Sequence, residues 1–141
     1  MKIIDYARSF IGKPYLYGGK CASYALDCSG FLQEVLSFAG VDIPGDQNAQ
    51  AYYDHFSKTG TISLPIAGAL AFYGVPSKIH HINLITSEHS VIGAMGGDAT
   101  TTTLEKSYQQ RAFVKERPMT WMKDIVAIIM PNYPEWVKEA A

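Results

Sequence analysis

The chain has 141 residues, 48% hydrophobic and 18% charged, with a net charge of −1. That is one domain's worth of sequence, too apolar for disorder and without the basic run or stripe of a nucleic-acid binder. No apolar stretch approaches the roughly 18 residues that cross a bilayer, so neither nucleic acid nor membrane is an expected partner. Its two cysteines, Cys21 and Cys28, are too few for a disulfide framework and lack the C-x-x-C spacing of a zinc site. Nine tyrosines are many for this length and suit a polar groove, each ring offering a rigid face with a hydroxyl at its tip.

The first segment, "MKIIDYARSF", is no secretory leader, because Asp5 and Arg8 interrupt the apolar run and no small-residue cleavage site follows. Synthesis in the cytoplasm without a signal peptide is the expectation. Ile3, Ile4, Ala7, Phe10 and Ile11 share one helical face, and the Gly12, Lys13, Pro14 run stops that helix. A loop containing "YLYGG" leads to a second helix that opens at Cys28. There Phe31, Leu32, Val35, Leu36 and Ala39 recur at helical spacing, up to Gly40. "DQNAQAYYDHFSKTG" reads as a third helix over 46–60.

The pattern then changes. Residues 68–75, 81–87, 90–95, 112–118 and 124–131 are short, apolar and bounded by turn residues, which predicts strands. "SEHS" joins two of them as a hairpin, "GDATTTT" is a polar turn, and "YPEWVKEAA" is a short terminal helix or tail. Helices first and a mostly antiparallel sheet afterwards make an α+β order.

Cys28 opens the second helix, where backbone N–H groups carry partial positive charge and can lower a thiol's pKa from about 8.5 to about 3.5–7.5. Asp27 suits the N-cap, Ser29 is small, and Gly30 admits a substrate or strand close to the backbone. The N–H groups of that first turn suit an oxyanion. A buried cysteine is more often a small hydrophobe, so the reading needs a base. Of four histidines, His55 and His89 are expected on the surface. Alternation places His80, Ile82 and Leu84 on one face of a strand, and His81, Asn83 and Ile85 on the other. The second face is the more polar, which favours His81; a one-residue slip would exchange it for His80.

"GKPYLYGG", "DCSGFLQEVLSFAGVDIP", "AGALAFY" and "HINLITSEHSVIGA", in that order, resemble the NlpC-type cell-wall peptidases, papain-like cysteine peptidases of bacteria and phages. The resemblance covers residues 3 to about 97 and more faintly the rest. It implies a papain-like α+β fold, with N-terminal helices on a mostly antiparallel sheet, the nucleophile at a helix N-terminus, and one catalytic domain over residues 1–141. It also implies hydrolysis of a peptidoglycan stem peptide between γ-D-glutamate and a diamino acid, without metal or cofactor.

By the same resemblance Cys28 is the nucleophile and His81 the base. Tyr15 stands near the oxyanion site, while Asp27, Ser29 and Gly30 form the motif that helps hold the substrate's amino end. Ala67 and Ala69 replace a proline and an aspartate usual in the family, a departure in a turn. A larger departure is Gly93, which stands where the family has a third polar residue to orient the histidine. A backbone carbonyl or water, or one of Asn83, His89 and Asp98, would then take over; otherwise the enzyme is weak. The remaining alternatives are a CHAP-like amidase cutting between muramic acid and L-alanine, and a catalytically weak structural or binding module. A domain without leader or wall-binding repeats fits a phage or prophage product acting on the cell wall with phage tail proteins, or a cytoplasmic enzyme of muropeptide recycling.

Overall fold

The computed structural model describes residues 1–21, 25–45 and 47–139; the side chains of Lys20 and Cys21 lie outside that description, and with them any role for Cys21. Apolar residues at helical spacing build α1 (Lys2–Arg8), whose Ile3, Ile4 and Ala7 are buried. A two-residue ladder, β1 (Lys20–Cys21) with β2 (Ala25–Leu26), precedes α2 (Cys28–Phe38). In α2, Phe31, Leu32, Val35 and Leu36 are fully buried. Burying a side chain of this kind contributes about 1.5–3 kcal/mol, so this one face anchors the helix firmly. The third helix, α3 (Ala49–Thr59), begins where Asn48 accepts a bond from the Ala51 N–H, and buries Tyr52 and Phe56.

The strands that follow are β3 (Thr61–Ile62), β4 (Leu70–Val75), β5 (Lys78–Ser87), β6 (Ser90–Met95), β7 (Phe113–Pro118) and β8 (Ile125–Met130). They form one six-stranded sheet in the order β3-β8-β4-β5-β6-β7, and every pairing is antiparallel. A polar helix, α4 (Leu104–Gln110), interrupts β6 and β7, and α5 (Glu135–Lys138) closes the chain. The expected α+β architecture is therefore present. Neither α4 nor β3 was expected.

The two faces of the sheet carry two cores. Leu70, Phe72, Ile82, Leu84 and Ile92 join the helices in the larger one. Ala69, Ala71, Tyr73, Ile85 and Val91 form the smaller one on the opposite face, covered by Met119, Met122 and Ile125.

The pairing of β4 with β5 shifts between Tyr73 and Gly74: Tyr73 faces His81, while Gly74 faces Ile79. This bulge leaves His80 as the extra residue of β5. Gly74 makes it possible, with a φ of 126° and a Cβ site that would overlap the Lys78 carbonyl oxygen. The hairpin beyond it is tied to α3 through Gln50, which donates to the Pro76 carbonyl at 2.9 Å and accepts from the Ile79 N–H at 2.6 Å.

Candidate active site

Cys28 is the first residue of α2 and a half-buried thiol. Asp27 is in extended conformation and caps the helix, accepting the Gly30 N–H at 2.6 Å and the Ser29 hydroxyl at 3.2 Å. The cap holds the first turn in place under the sulfur. It also commits the Gly30 N–H, so that group is not an oxyanion donor.

The opposite wall comes from the sheet. The bulge breaks the alternation expected for β5. Ile79 and Ile82 both enter the core under the helices, while His80 turns outward, away from the face it was expected to share with Ile82. Half exposed, its Nε2 lies 2.6 Å from Asp124 Oδ2. His81 is buried, with Nε2 2.6 Å from Asn83 Oδ1. Asn83, also buried, donates from Nδ2 to the Tyr73 hydroxyl at 3.1 Å. The Tyr73 ring meets the imidazole edge-on, at 5.5 Å between centroids. Burial is the largest influence on His81 and pushes its pKa down to about 4, against a smaller upward pull from the Asn83 bond. The imidazole is therefore neutral at pH 7 and able to accept a proton.

The two walls meet over two adjoining cavities that share Tyr15, Tyr17, Cys28 and His80. One, of about 470 Å³, runs over Asp27, Ser29 and the start of α3 at Asn48. The other, of about 410 Å³, runs past His81 to Met95, Asp98, Trp121 and Met122. The sulfur thus sits midway along a cleft that is polar at one end and apolar with a carboxylate at the other. Tyr15 is buried between the cavities. Burial, then the charges of Cys28, Asp27 and Asp98, raise its pKa, so its hydroxyl stays protonated and can donate.

Of the expected residues, Cys28, Tyr15, Asp27, Ser29 and His81 line this cleft. Gly30 is buried in the first turn of α2. Among the three candidates for the third position, Asn83 reaches the imidazole. Asp98 lines the second cavity, and its carboxylate accepts from the Thr100 N–H and hydroxyl. His89 is exposed at the hairpin tip beside Glu88. Sequence reasoning missed Tyr73 and Trp121. Tyr73 had a signal: it alternates with Ala71 on β4, and its ring is the largest on that strand's second face.

The NlpC/P60 family model matches residues 12–118. The chain belongs to the NlpC/P60 family. A γ-D-glutamyl-L-lysine dipeptidyl-peptidase of Bacillus subtilis strain 168 is 35% identical over 89 residues, 58% of the chain; the match takes in 27% of that longer protein. The NlpC/P60 domain of the peptidoglycan hydrolase SagA superposes with a TM-score of 0.65 at 28% identity, covering 91% of this chain and 95% of that domain. RipD of Mycobacterium tuberculosis, a non-catalytic NlpC/P60 domain protein, shares the fold at a TM-score of 0.65 and 18% identity, covering 93% of this chain and 95% of its own.

Proposed function

We propose that this NlpC/P60 domain is a cysteine peptidase that cleaves peptidoglycan stem peptides at the bond between γ-D-glutamate and a diamino acid. The observation that carries this reading is the junction of the two walls: a thiol on a capped helix N-terminus shares a cleft with a buried imidazole whose Nε2 is held by a carboxamide oxygen. An oxygen acceptor at Nε2 keeps the proton there and leaves the lone pair on Nδ1.

Nδ1 takes the Cys28 proton as the thiolate attacks the scissile carbonyl carbon. The Tyr15 hydroxyl donates to the oxyanion that forms. The imidazolium returns its proton to the departing amine as the C–N bond breaks, leaving a thioester. Water then adds to the thioester, its proton passing to Nδ1 and back to sulfur as the acid product leaves. Asp27 and Ser29 line the cavity suited to the acyl half, with its free amino end. The second cavity, with Trp121, Met95 and Asp98, suits the departing diamino acid.

The relative from Bacillus subtilis and the SagA domain support the substrate class. Gly93 favours a catalytically weak structural or binding module, whereas the contact of Asn83 with His81 supports the enzymatic reading.

Muropeptides carrying L-lysine or meso-diaminopimelate, incubated with the protein and resolved by mass spectrometry, test the reading. Release of L-Ala-γ-D-Glu, absent with Cys28→Ala, is the expected result. Intact stem peptides freed from muramic acid would point to the CHAP-like amidase, and no new product at all to a binding module.

A further inference from the structure

Gly93 on β6 stands where the resemblance puts a third polar side chain, and the side chain that meets His81 Nε2 is instead Asn83 on β5. Asn83 lies on the same strand as His81, two residues along the same face, with no exposed surface. The register of β5 with β6, set by Leu84 opposite Ile92, brings Gly93 beside it. A Cβ at Gly93 would overlap Asn83 Oδ1 and approach Cγ to 3.1 Å. On the other side, Ala71 of β4 pairs with Asn83, so a small side chain flanks it there too. The carboxamide therefore fits because both neighbours are small.

Fitting does not settle which end of the amide faces the ring. With Oδ1 toward Nε2, the imidazole carries its proton on Nε2, and its cationic form also keeps an acceptor. With the amide turned over, Nδ2 would face Nε2, force the proton onto Nδ1, and lose the base. Tyr73 bears on this choice. Its hydroxyl receives Nδ2 at 3.1 Å, and its ring lies against the imidazole, so the same side chain touches both groups. By accepting Nδ2, that hydroxyl leaves Oδ1 as the end of the amide that meets the imidazole.

We propose that Tyr73 is a positioning residue which, with Gly93 as the gap that admits Asn83, fixes the amide of Asn83 and through it the reactive tautomer of His81. The proposal rests on the reading of Cys28 and His81 as nucleophile and base. It extends that reading to a buried relay drawn from three strands, Tyr73 on β4, Asn83 on β5 and the cleared position on β6.

Two measurements on the full chain test it. The first is the imidazole 15N spectrum of the substrate-free protein at pH 7. His81 is expected as the Nε2-protonated tautomer in the wild type, and as a mixture or the other tautomer in Tyr73→Phe. Wild type with the proton on Nδ1, or Tyr73→Phe with an unchanged spectrum, overturns the relay.

The second is kinetic. Tyr73→Phe lowers kcat about tenfold at little-changed KM, the worth of one buried hydrogen bond. Asn83→Ala lowers it on the order of 10²-fold, as misplacement of a catalytic group does. Gly93→Ala displaces Asn83 and costs nearly as much in the wild type, yet costs little further when Asn83 is already alanine. Equal losses from Gly93→Ala in both backgrounds overturn the pairing. Thermal unfolding of each variant separates lost activity from lost fold, and Tyr73→Phe carries the test if Gly93→Ala does not fold. A wild type without peptidase activity sinks the enzymatic reading while the spectrum still decides the relay.

Discussion

The two walls of the cleft are built in opposite ways. The helical wall is written in four consecutive residues, Asp27 to Gly30, and its geometry follows from local rules: a carboxylate at the N-cap, a small hydroxyl and a glycine behind the thiol. The sheet wall takes Tyr73, His81, Asn83 and Gly93 from three strands, and no two of them are adjacent in the chain. The helical wall should therefore yield to single substitutions with separable effects, whereas on the sheet wall each change is felt by its neighbours.

The largest expected effect is on the helical wall. Cys28→Ala abolishes peptide cleavage while leaving the thermal unfolding midpoint close to wild type, because a half-buried thiol at the cleft contributes little packing; muropeptide digestion and a melting curve check both halves. The two histidines come next. His81→Gln lowers kcat by about 10²–10⁴-fold, the usual worth of a general acid–base group. His80→Gln breaks a half-exposed pair with Asp124 and should shift stability by less than about 1 kcal/mol. Comparable kcat losses from both would erase the distinction the bulge makes.

The sheet wall carries a pH effect through His81. The folded imidazole of His81 titrates near 4, below the value of about 6.5 in an unfolded chain. The unfolded state thus binds the extra proton between those values, and stability falls as pH drops. The contribution is intact above pH 6.5 and is lost progressively toward pH 4, by about 3 kcal/mol in all. Urea unfolding at several pH values reads this slope, and His81→Gln should flatten it.

The smallest effect sharpens the helical wall. Asp27→Ala costs about 1 kcal/mol by removing the cap, whereas Asp27→Asn keeps the cap and changes the charge facing the first cavity. If the Asp27→Asn variant melts like wild type but turns over poorly, the carboxylate has a task beyond the helix; equal loss of stability in both variants would assign it to folding.

What the sequence disclosed follows the same division. Periodicity and turn residues located the three N-terminal helices and five strands, and the motif around Cys28 was legible because its parts interact within one turn. "LEKSYQQ" gave no signal for α4, since its residues are mostly polar and only Ser107 is buried. β3 is two exposed residues held by pairing with β8, a contact made across more than sixty residues of chain. The bulge was invisible for the same reason: strict alternation put His80 under the helices, and only Gly74, which tolerates the backbone there, hinted otherwise. Asn83 was one of three candidates to stand in for a side chain at Gly93, and choosing among them took the spatial contact of its Oδ1 with His81 Nε2.

The hairpin from Gly74 to Ile79 carries a consequence of its own. Exposed turns at the tip of two strands are where chains usually gain or lose residues without harm. Here one deletion would erase the bulge that turns His80 outward and would strain the anchor of the turn on Gln50. Length variation at this surface turn should thus reshape the first cavity, whose wall includes Ile79 and His80.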